Sequence, residues 1–317
     1  MPGKCDPTVS AKVSAALGAM KANPELTATE AARSVNLAPT TLRSRLNDGI
    51  GLEPAGEVTV DGLGEDPLAS EVPVFERDYS DADHHYIYPI GDLHIGSPQH
   101  AGGLLREWFG YLQEAPRVSI LNTGDNTNCA LSSSVSDEYG EKLTVRQARE
   151  QQTELFRPLA PKFDVIIDGN HELRVYRATG DSPNAAVADA LGINYTMSAC
   201  IVRYLVGDQR YDLYLRHGTG GGGKMGAQVN RLADQDGIID ADIYVSGHTH
   251  TQVAFVKDVF IPVLGETRFA RKKRLYVCSG SFMGYEDYAA QAGYPPAHLG
   301  APRIRLDGRR HDAHASI

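Results

Sequence analysis

Five short stretches stand where an apolar, strand-like run stops, and the rest of the chain must fold around them. Ile87 to Ile90 runs into Gly91-Asp92-Leu93-His94, and Val118 to Leu121 runs into Gly124-Asp125-Asn126. Val165 to Ile167 precedes Gly169-Asn170-His171-Glu172, Tyr211 to Leu215 precedes His217-Gly218, and Ile243 to Val245 precedes Gly247-His248-Thr249-His250. In an open α/β sheet, ligands bind in the crevice beyond the carboxyl ends of the strands. Five strand ends bringing Asp, Asn and His to one edge therefore predict a site. A lone Gly-Asn-His is more often a turn, but the ordered recurrence after apolar runs outweighs that reading. Oxygen and imidazole donors without thiolate suit divalent manganese, iron, zinc or nickel.

Apolar runs alternate with helical periodicity from residue 84 onward. Leu104 to Leu112, Leu143 to Leu155, Ala185 to Leu191 and Met225 to Leu232 carry the helical pattern, which predicts a layered α/β fold. Beyond residue 195 the strand-like runs crowd together (Cys200 to Val206, Gln252 to Val256, Leu275 to Cys278), and a second sheet packed on the first would account for them.

Together, Asp-x-His, Gly-Asp-Asn, Gly-Asn-His-Glu, His-Gly and Gly-His-Thr-His resemble the motif set of the calcineurin-like metallophosphoesterases over roughly residues 84 to 280. The resemblance implies a sandwich of two mixed β-sheets flanked by helices. It also implies two divalent ions, manganese first. Asp92, His94 and His250 would hold one; Asn170, His217 and His248 would hold the other; Asp125 would bridge them. His171 would be the general acid for the leaving oxygen. Many relatives place an Asp three residues after the bridging Asp to orient that histidine; here the position is Asn128. An amide accepts a hydrogen bond from imidazole but cannot raise its pKa by charge. The Arg that protein phosphatases carry just beyond that Asp is missing too, which argues against that branch.

Arg174 is a candidate phosphate contact, with a surface salt bridge as the plainer alternative. Gly218, Gly223 and Lys224 fall at P-loop spacing, but Met225 stands where that motif needs Ser or Thr for magnesium. An NTPase is rejected. Lys224 remains a candidate anion contact beside His217, set against a plain glycine loop. The basic run Arg268, Arg271, Lys272, Lys273 and Arg274 would either steer a polyanion or belong to a solvated hairpin. The histidines outside the motifs (His84, His85, His100, His298, His311, His314) default to surface or hydrogen-bonded structure.

The first fifty residues read differently. Val9, Val13, Leu17 and Met20 repeat at helical spacing, Asn23-Pro24 stops that helix, and Thr27 to Glu30 is a capping box for a second. Asn36 sits where a turn needs a left-handed residue, and Pro39 opens a third helix ending at Gly49. Residues 1–50 resemble a helix-turn-helix module, whose third helix lies in the major groove. Thr40, Thr41, Arg43 and Arg45 would then face DNA. A module for self-association or a protein partner is the alternative.

Residues 51–83 lack periodicity, are rich in Gly, Pro and acids, and read as a linker to the domain at 84–317. They carry one Arg against ten Asp and Glu, whereas residues 1–50 carry six Lys and Arg against four acids. The net charge of −9 is thus the charge of one segment, and it does not exclude nucleic acid. No run reaches the length of a membrane span, and the N-terminus lacks a signal-peptide core. Cys5, Cys129, Cys200 and Cys278 show no paired spacing and read as free thiols in a reducing cytoplasm. A helix-turn-helix, a linker and a phosphoesterase together resemble combinations carried by bacteriophages, which implies a bacterial host cell. The function expected is phosphodiester hydrolysis by a DNA-tethered nuclease. The alternatives are a small-molecule phosphodiesterase or phosphomonoesterase with an oligomerising N-terminus, and a non-catalytic DNA-binding protein.

Overall fold

The computed structural model describes residues 7–23, 26–39, 42, 72–131, 134, 138–220, 225–263, 265–285, 293 and 296–317. The chain divides into two compact units, Met1–Ser70 and Glu71–Ile317.

In the first unit, helices α1 (Pro7–Ala22) and α2 (Ala28–Ser34) form at the periodic stretches. The capping box is made in both directions: Glu30 N donates to Thr27 Oγ1 at 3.3 Å, and Thr27 N donates to Glu30 Oε2 at 3.0 Å. Two orphan amides are thereby satisfied. Asn36 adopts φ 52°, the left-handed turn its amide side chain tolerates. Val13, Ala16, Ala31, Ala32, Leu37 and Leu42 close a small core. Thr40, Thr41, Arg43 and Arg45 lie outside the described residues.

The expected linker is too long at its C-terminal end. Val74–Tyr79 is a strand, β1, paired in parallel with β6 (Ala199–Val206) from Val74↔Ile201 to Tyr79↔Val206. Phe75 and Tyr79 face the core while Glu76 and Asp78 face out. The outward acids make the strand look like linker, although the alternation is that of a half-buried edge.

Two six-stranded sheets make up the second unit. One runs β12 (Ala313–Ser316), β11 (Arg303–Asp307), β2 (His84–Ile90), β3 (Val118–Asn122), β4 (Phe163–Ile167) and β5 (Tyr195–Thr196). The other runs β1, β6, β7 (Gln209–Arg216), β8 (Ile243–Ser246), β10 (Phe269–Ser279) and β9 (Gln252–Pro262). Both mix parallel and antiparallel pairs; β2, β3, β4 and β5 are mutually parallel.

Strand alternation sorts the side chains into layers. Ile87, Leu121, Val165 and Ile167 of the first sheet meet Val202, Leu213, Leu215, Ile243 and Val277 of the second. Tyr88, Ile90, Ile120 and Ile166 point the other way, under helices α3 (Gly102–Glu114), α4 (Val145–Phe156) and α6 (Pro183–Leu191). The second sheet's outer face packs Tyr214, Tyr244 and Tyr276 with Leu232 of helix α7 (Met225–Ala233). This is the expected sandwich, two mixed sheets flanked by helices. A further helix, α5 (Asn170–Thr179), begins within the Gly-Asn-His-Glu motif. Burying strands on both faces requires continuous apolar runs, which is what the sequence shows before each motif.

Candidate metal centre

The motif-bearing strand ends do not share one sheet edge. β2, β3 and β4 deliver theirs from the first sheet, β7 and β8 from the second, and the two rows meet across the top of the sandwich. Because the sheets pack face to face, residues remote in sequence close on one another.

Past the strand ends, the loops after β2 and β3 continue as a ladder. Asp92 N donates to Gly124 O at 2.8 Å, Leu93 N to Asp125 O at 2.8 Å, and Ile95 N to Asn126 O at 2.8 Å. Holding the chain there strains it. Asp92, His94, Asp125, His248 and His250 have φ of 49°, 50°, 51°, 71° and 54°. Left-handed backbone at residues other than Gly costs on the order of 1 kcal/mol each and persists where surroundings over-determine it. The motif glycines permit close approach. A Cβ on Gly169 would land on Asp125 Oδ1, and one on Gly247 would sit 2.6 Å from Asp92 Oδ2.

Among the described residues, three sets of donor atoms converge: Asp92 with His94 and His250, His94 with Asp125 and His171, and Asp125 with His217 and His248. His94 Nε2 lies 3.1 Å from His250 Nε2, which is 3.4 Å from Asp92 Oδ1. On the other side, His217 Nε2 lies 3.1 Å from Asp125 Oδ2, 3.1 Å from Asn170 Oδ1 and 3.3 Å from His248 Nδ1. Every candidate metal position named from the sequence is therefore in one of two neighbouring groups, with Asp125 between them.

Second partners aim these rings, as they do in metal sites generally. His217 Nδ1–H donates to Thr123 O at 2.7 Å, which turns Nε2 towards Asp125. Asp92 is held by His248 N, 3.0 Å from its Oδ2. The donor set passes a test of fit for divalent cations: buried carboxylate oxygens and imidazole nitrogens, the usual donors for such ions, converge. The field says the same. Burial works against charge on His217, yet Asp125, through its charge and hydrogen bond, pushes it up to about 10. Burial likewise opposes charge on His250, and Asp92 raises it. Positive charge is demanded on both sides of Asp125. Asp125 itself is disfavoured by burial, but His217 and His171 hold it well below the usual carboxylate range.

Asn128 is not where the resemblance puts it. Its side-chain Oδ1 accepts from His94 Nδ1 at 2.9 Å, and it is the Asn128 backbone carbonyl that accepts from His171 Nδ1 at 2.5 Å. A backbone acceptor can hold His171 whatever side chain stands at 128, so the loss of Asp there does not leave that ring unoriented. His171 Nε2 is 3.9 Å from Asp125 Oδ2, and burial lowers its pKa while Asp125 opposes the shift.

Sequence reasoning passed over Glu172. It is fully buried and accepts from Asp125 N, Thr127 N and Gly169 N at 3.0, 3.0 and 2.9 Å, which ties the Asp125 loop to helix α5. Burial and then the charges of Asp125 and Asp168 push its carboxyl up to about 7. The signal was available: Glu172 stands three residues after Gly169, the spacing of a capping box.

Among the remaining candidates, Arg174 donates to Ser134 Oγ at 3.0 Å, and Lys224 lies outside the described residues. The basic run belongs to the β9–β10 hairpin and is matched by acids. Arg268 pairs with Glu266, Arg271 with Asp258, Lys272 with Asp240, Lys273 with Asp312 and Arg274 with Asp236. That favours the hairpin reading over polyanion steering. Cys129, Cys200 and Cys278 are free and buried. Among the described residues, no helix is long and apolar enough to cross a membrane.

No family model and no curated protein matches the chain. Solved structures similar to it include a conserved uncharacterized protein, a predicted phosphoesterase, from Streptococcus pneumoniae TIGR4, at 12% identity and TM-score 0.35, covering 73% of this chain and 88% of that one. A double mutant of Vps29 from Entamoeba histolytica is similar at 14% identity and TM-score 0.33, over 73% and 97% of the two chains. GAP50, the anchor in the inner membrane complex of Plasmodium, is similar at 9% identity and TM-score 0.39, over 73% and 88%. These similarities carry no chemistry to this chain; the donor clusters do.

Proposed function

We propose that this chain is a metal-dependent hydrolase of phosphoric esters, that it acts on phosphodiesters, and that its N-terminal unit tethers it to DNA. The observation that carries the reading is the buried carboxylate of Asp125, which converges with His94 and His171 in one donor set and with His217 and His248 in another. Two like cations close together need an anion between them, and a shared carboxylate supplies it.

In this reading Asp92, His94 and His250 hold one ion, and Asn170, His217 and His248 hold the other. Bound divalent ions would polarise the phosphoryl oxygens and lower the pKa of water beside the phosphorus. The chain's own residues do the rest. Asp92 and Asp125 set the charge of the site, while Thr123 O and Asn128 fix which imidazole nitrogens are bare. His171 keeps one proton on the Asn128 carbonyl and can hold a second at Nε2 for the leaving oxygen. Arg174, one turn along α5, is available to a phosphate oxygen from its place on Ser134.

The tether is supported by the capped helix pair, the left-handed Asn36 and the small core closed by Leu42. Tethering would raise the effective concentration of substrate without adding an interaction at the site.

The test uses metal-stripped protein resupplied with manganese, the ion to try first for oxygen and imidazole donors. It compares a chromogenic phosphodiester, the matching monoester and linear DNA, with Asp125→Asn as control. Cleavage of the diester and DNA with little monoester turnover supports the proposal. Monoester or small-diester turnover with DNA left intact replaces it with a small-molecule esterase whose N-terminal unit serves assembly. Wild-type rates from Asp125→Asn would overturn the metal reading itself.

A further inference from the structure

Behind His94 runs a chain of hydrogen bonds that ends on a carboxylate. His94 Nδ1–H donates to Asn128 Oδ1 at 2.9 Å, and Asn128 Nδ2 donates to Glu141 Oε1. His94 is 2% exposed and Asn128 4%, so water does not stand in for either partner. Each link determines the next. An ionised carboxylate only accepts, so the Asn128 NH₂ must face Glu141 and its carbonyl oxygen must face His94. That oxygen requires a proton on His94 Nδ1. Nε2 is then the bare nitrogen, and it points at His250 Nε2, 3.1 Å away.

The segment that carries Glu141 is tied to the loop that carries His94. Lys142 N donates to Gly96 O at 2.8 Å, two residues past His94. Gly96 has φ +109°, and a Cβ there would come within 3.0 Å of Glu141 Oε2. A side chain at 96 would therefore press on the carboxylate.

We propose that Glu141 is a positioning residue for the first donor group. It acts through the Asn128 amide to lock His94 with Nε2 bare, and it places a negative charge behind the ring. The proposal rests on the reading of Asp92, His94 and His250 as metal donors. A carboxylate at the far end of a polarisable amide makes the imidazole a better donor than the amide alone would.

Manganese binding to the metal-stripped full-length protein, followed by calorimetry, tests this. Glu141→Gln, which keeps shape and removes charge, is expected to weaken one of the two binding events by about 10–100-fold and leave the other unchanged. Asn128→Asp alone sets two carboxylates against each other and is expected to weaken the same event. The double variant Asn128→Asp/Glu141→Gln puts one carboxylate directly on His94 with an amide behind it, and affinity is expected to return towards wild type. A merely structural role would make the double variant the worst of the three, and that result overturns the proposal. So does wild-type affinity in Glu141→Gln.

A second readout needs no metal and no variant. The ¹⁵N signature of His94 in the metal-free protein is expected to show the proton on Nδ1; a bare Nδ1 overturns the relay. Asp92→Asn separates the two levels. If that variant binds both ions normally, the metal reading has failed, whatever Glu141 does.

Discussion

His94 Nε2 and His250 Nε2 stand 3.1 Å apart although 156 positions separate them in the chain. Asn128 takes the other proton-bearing face of His94, so the pair has a lone pair to share and few protons to share it with. A cation would relieve this and would at the same time offset the charge of Asp92, whose Oδ1 is 3.4 Å from His250 Nε2. Folding brings these groups together, so the cation binds the folded state and hardly the unfolded one. At a hundredfold excess over Kd such binding stabilises by about 2.7 kcal/mol, which for a chain of this size corresponds to a Tm shift of about 4–5 °C. Thermal melts with manganese and with chelator are expected to differ by at least that much. Coincident melts would mean that the donor groups hold no ion.

His171 is expected to matter to the leaving group and not to the ions. Its Nδ1 is committed to the Asn128 carbonyl and its Nε2 lies 3.9 Å from Asp125. In His171→Ala, turnover of a diester with a poor, alkoxide-like leaving group should fall by about 10²–10⁴-fold, the usual contribution of a general acid. A nitrophenyl diester, whose leaving group needs no proton, should lose far less, and metal content should not change. Equal losses on both substrates would remove His171 from the acid role.

Much of the fold can be read from the chain because each buried strand is a continuous apolar run ending on a motif. The four helices named from periodicity appear with ends shifted by a few residues. What escaped has physical causes. β1 hides behind Glu76 and Asp78 because one face of an edge strand is free to be charged. β5 is only two residues long, and β11 and β12 alternate polar with apolar residues, as in Arg303 to Asp307, without an apolar run that ends on a motif. At the site, the donors were readable because their chemistry sets residue type. The neighbours that aim them were not. Thr123 orients His217 through a backbone carbonyl that any residue carries. Glu141 reaches Asn128 from thirteen positions on in sequence, and no spacing rule connects them. The placement of Asn128 itself was expected on the wrong histidine, since an amide's partner follows from packing and not from motif.

The tether is tested on the N-terminal unit without disturbing the donor groups. Arg43→Ala combined with Arg45→Ala is expected to weaken binding to DNA. The slope of log affinity against log salt should become shallower, by about 0.9 for each phosphate that the variant no longer neutralises. Turnover of a small chromogenic diester should stay at the wild-type rate. Unaltered affinity and slope would take DNA away from Arg43 and Arg45 and leave a protein partner or self-association for the unit.

Acid should destabilise the second unit through His85, far from the donor groups. His85 stacks on Tyr79 with ring centroids 3.7 Å apart, shares a hydrogen bond with Ser119 Oγ at 3.0 Å, and is 1% exposed. Its Nδ1 is buried without a partner, so a proton added there would be an unsatisfied buried donor. Burial, helped by the charge of His84, lowers its pKa from 6.5 to about 3. The folded state thus binds fewer protons than the unfolded state between those values. Stability is full above pH 6.5 and is lost as pH falls towards 3. Between pH 7.5 and pH 5 this one group should cost about 2 kcal/mol. His85→Gln lowers stability at every pH by removing the stack, but it should make the fall between pH 7.5 and 5 shallower by that amount. Urea melts of both proteins at the two pH values give the double difference. A value near zero would show that His85 is protonated in the fold or exposed to solvent.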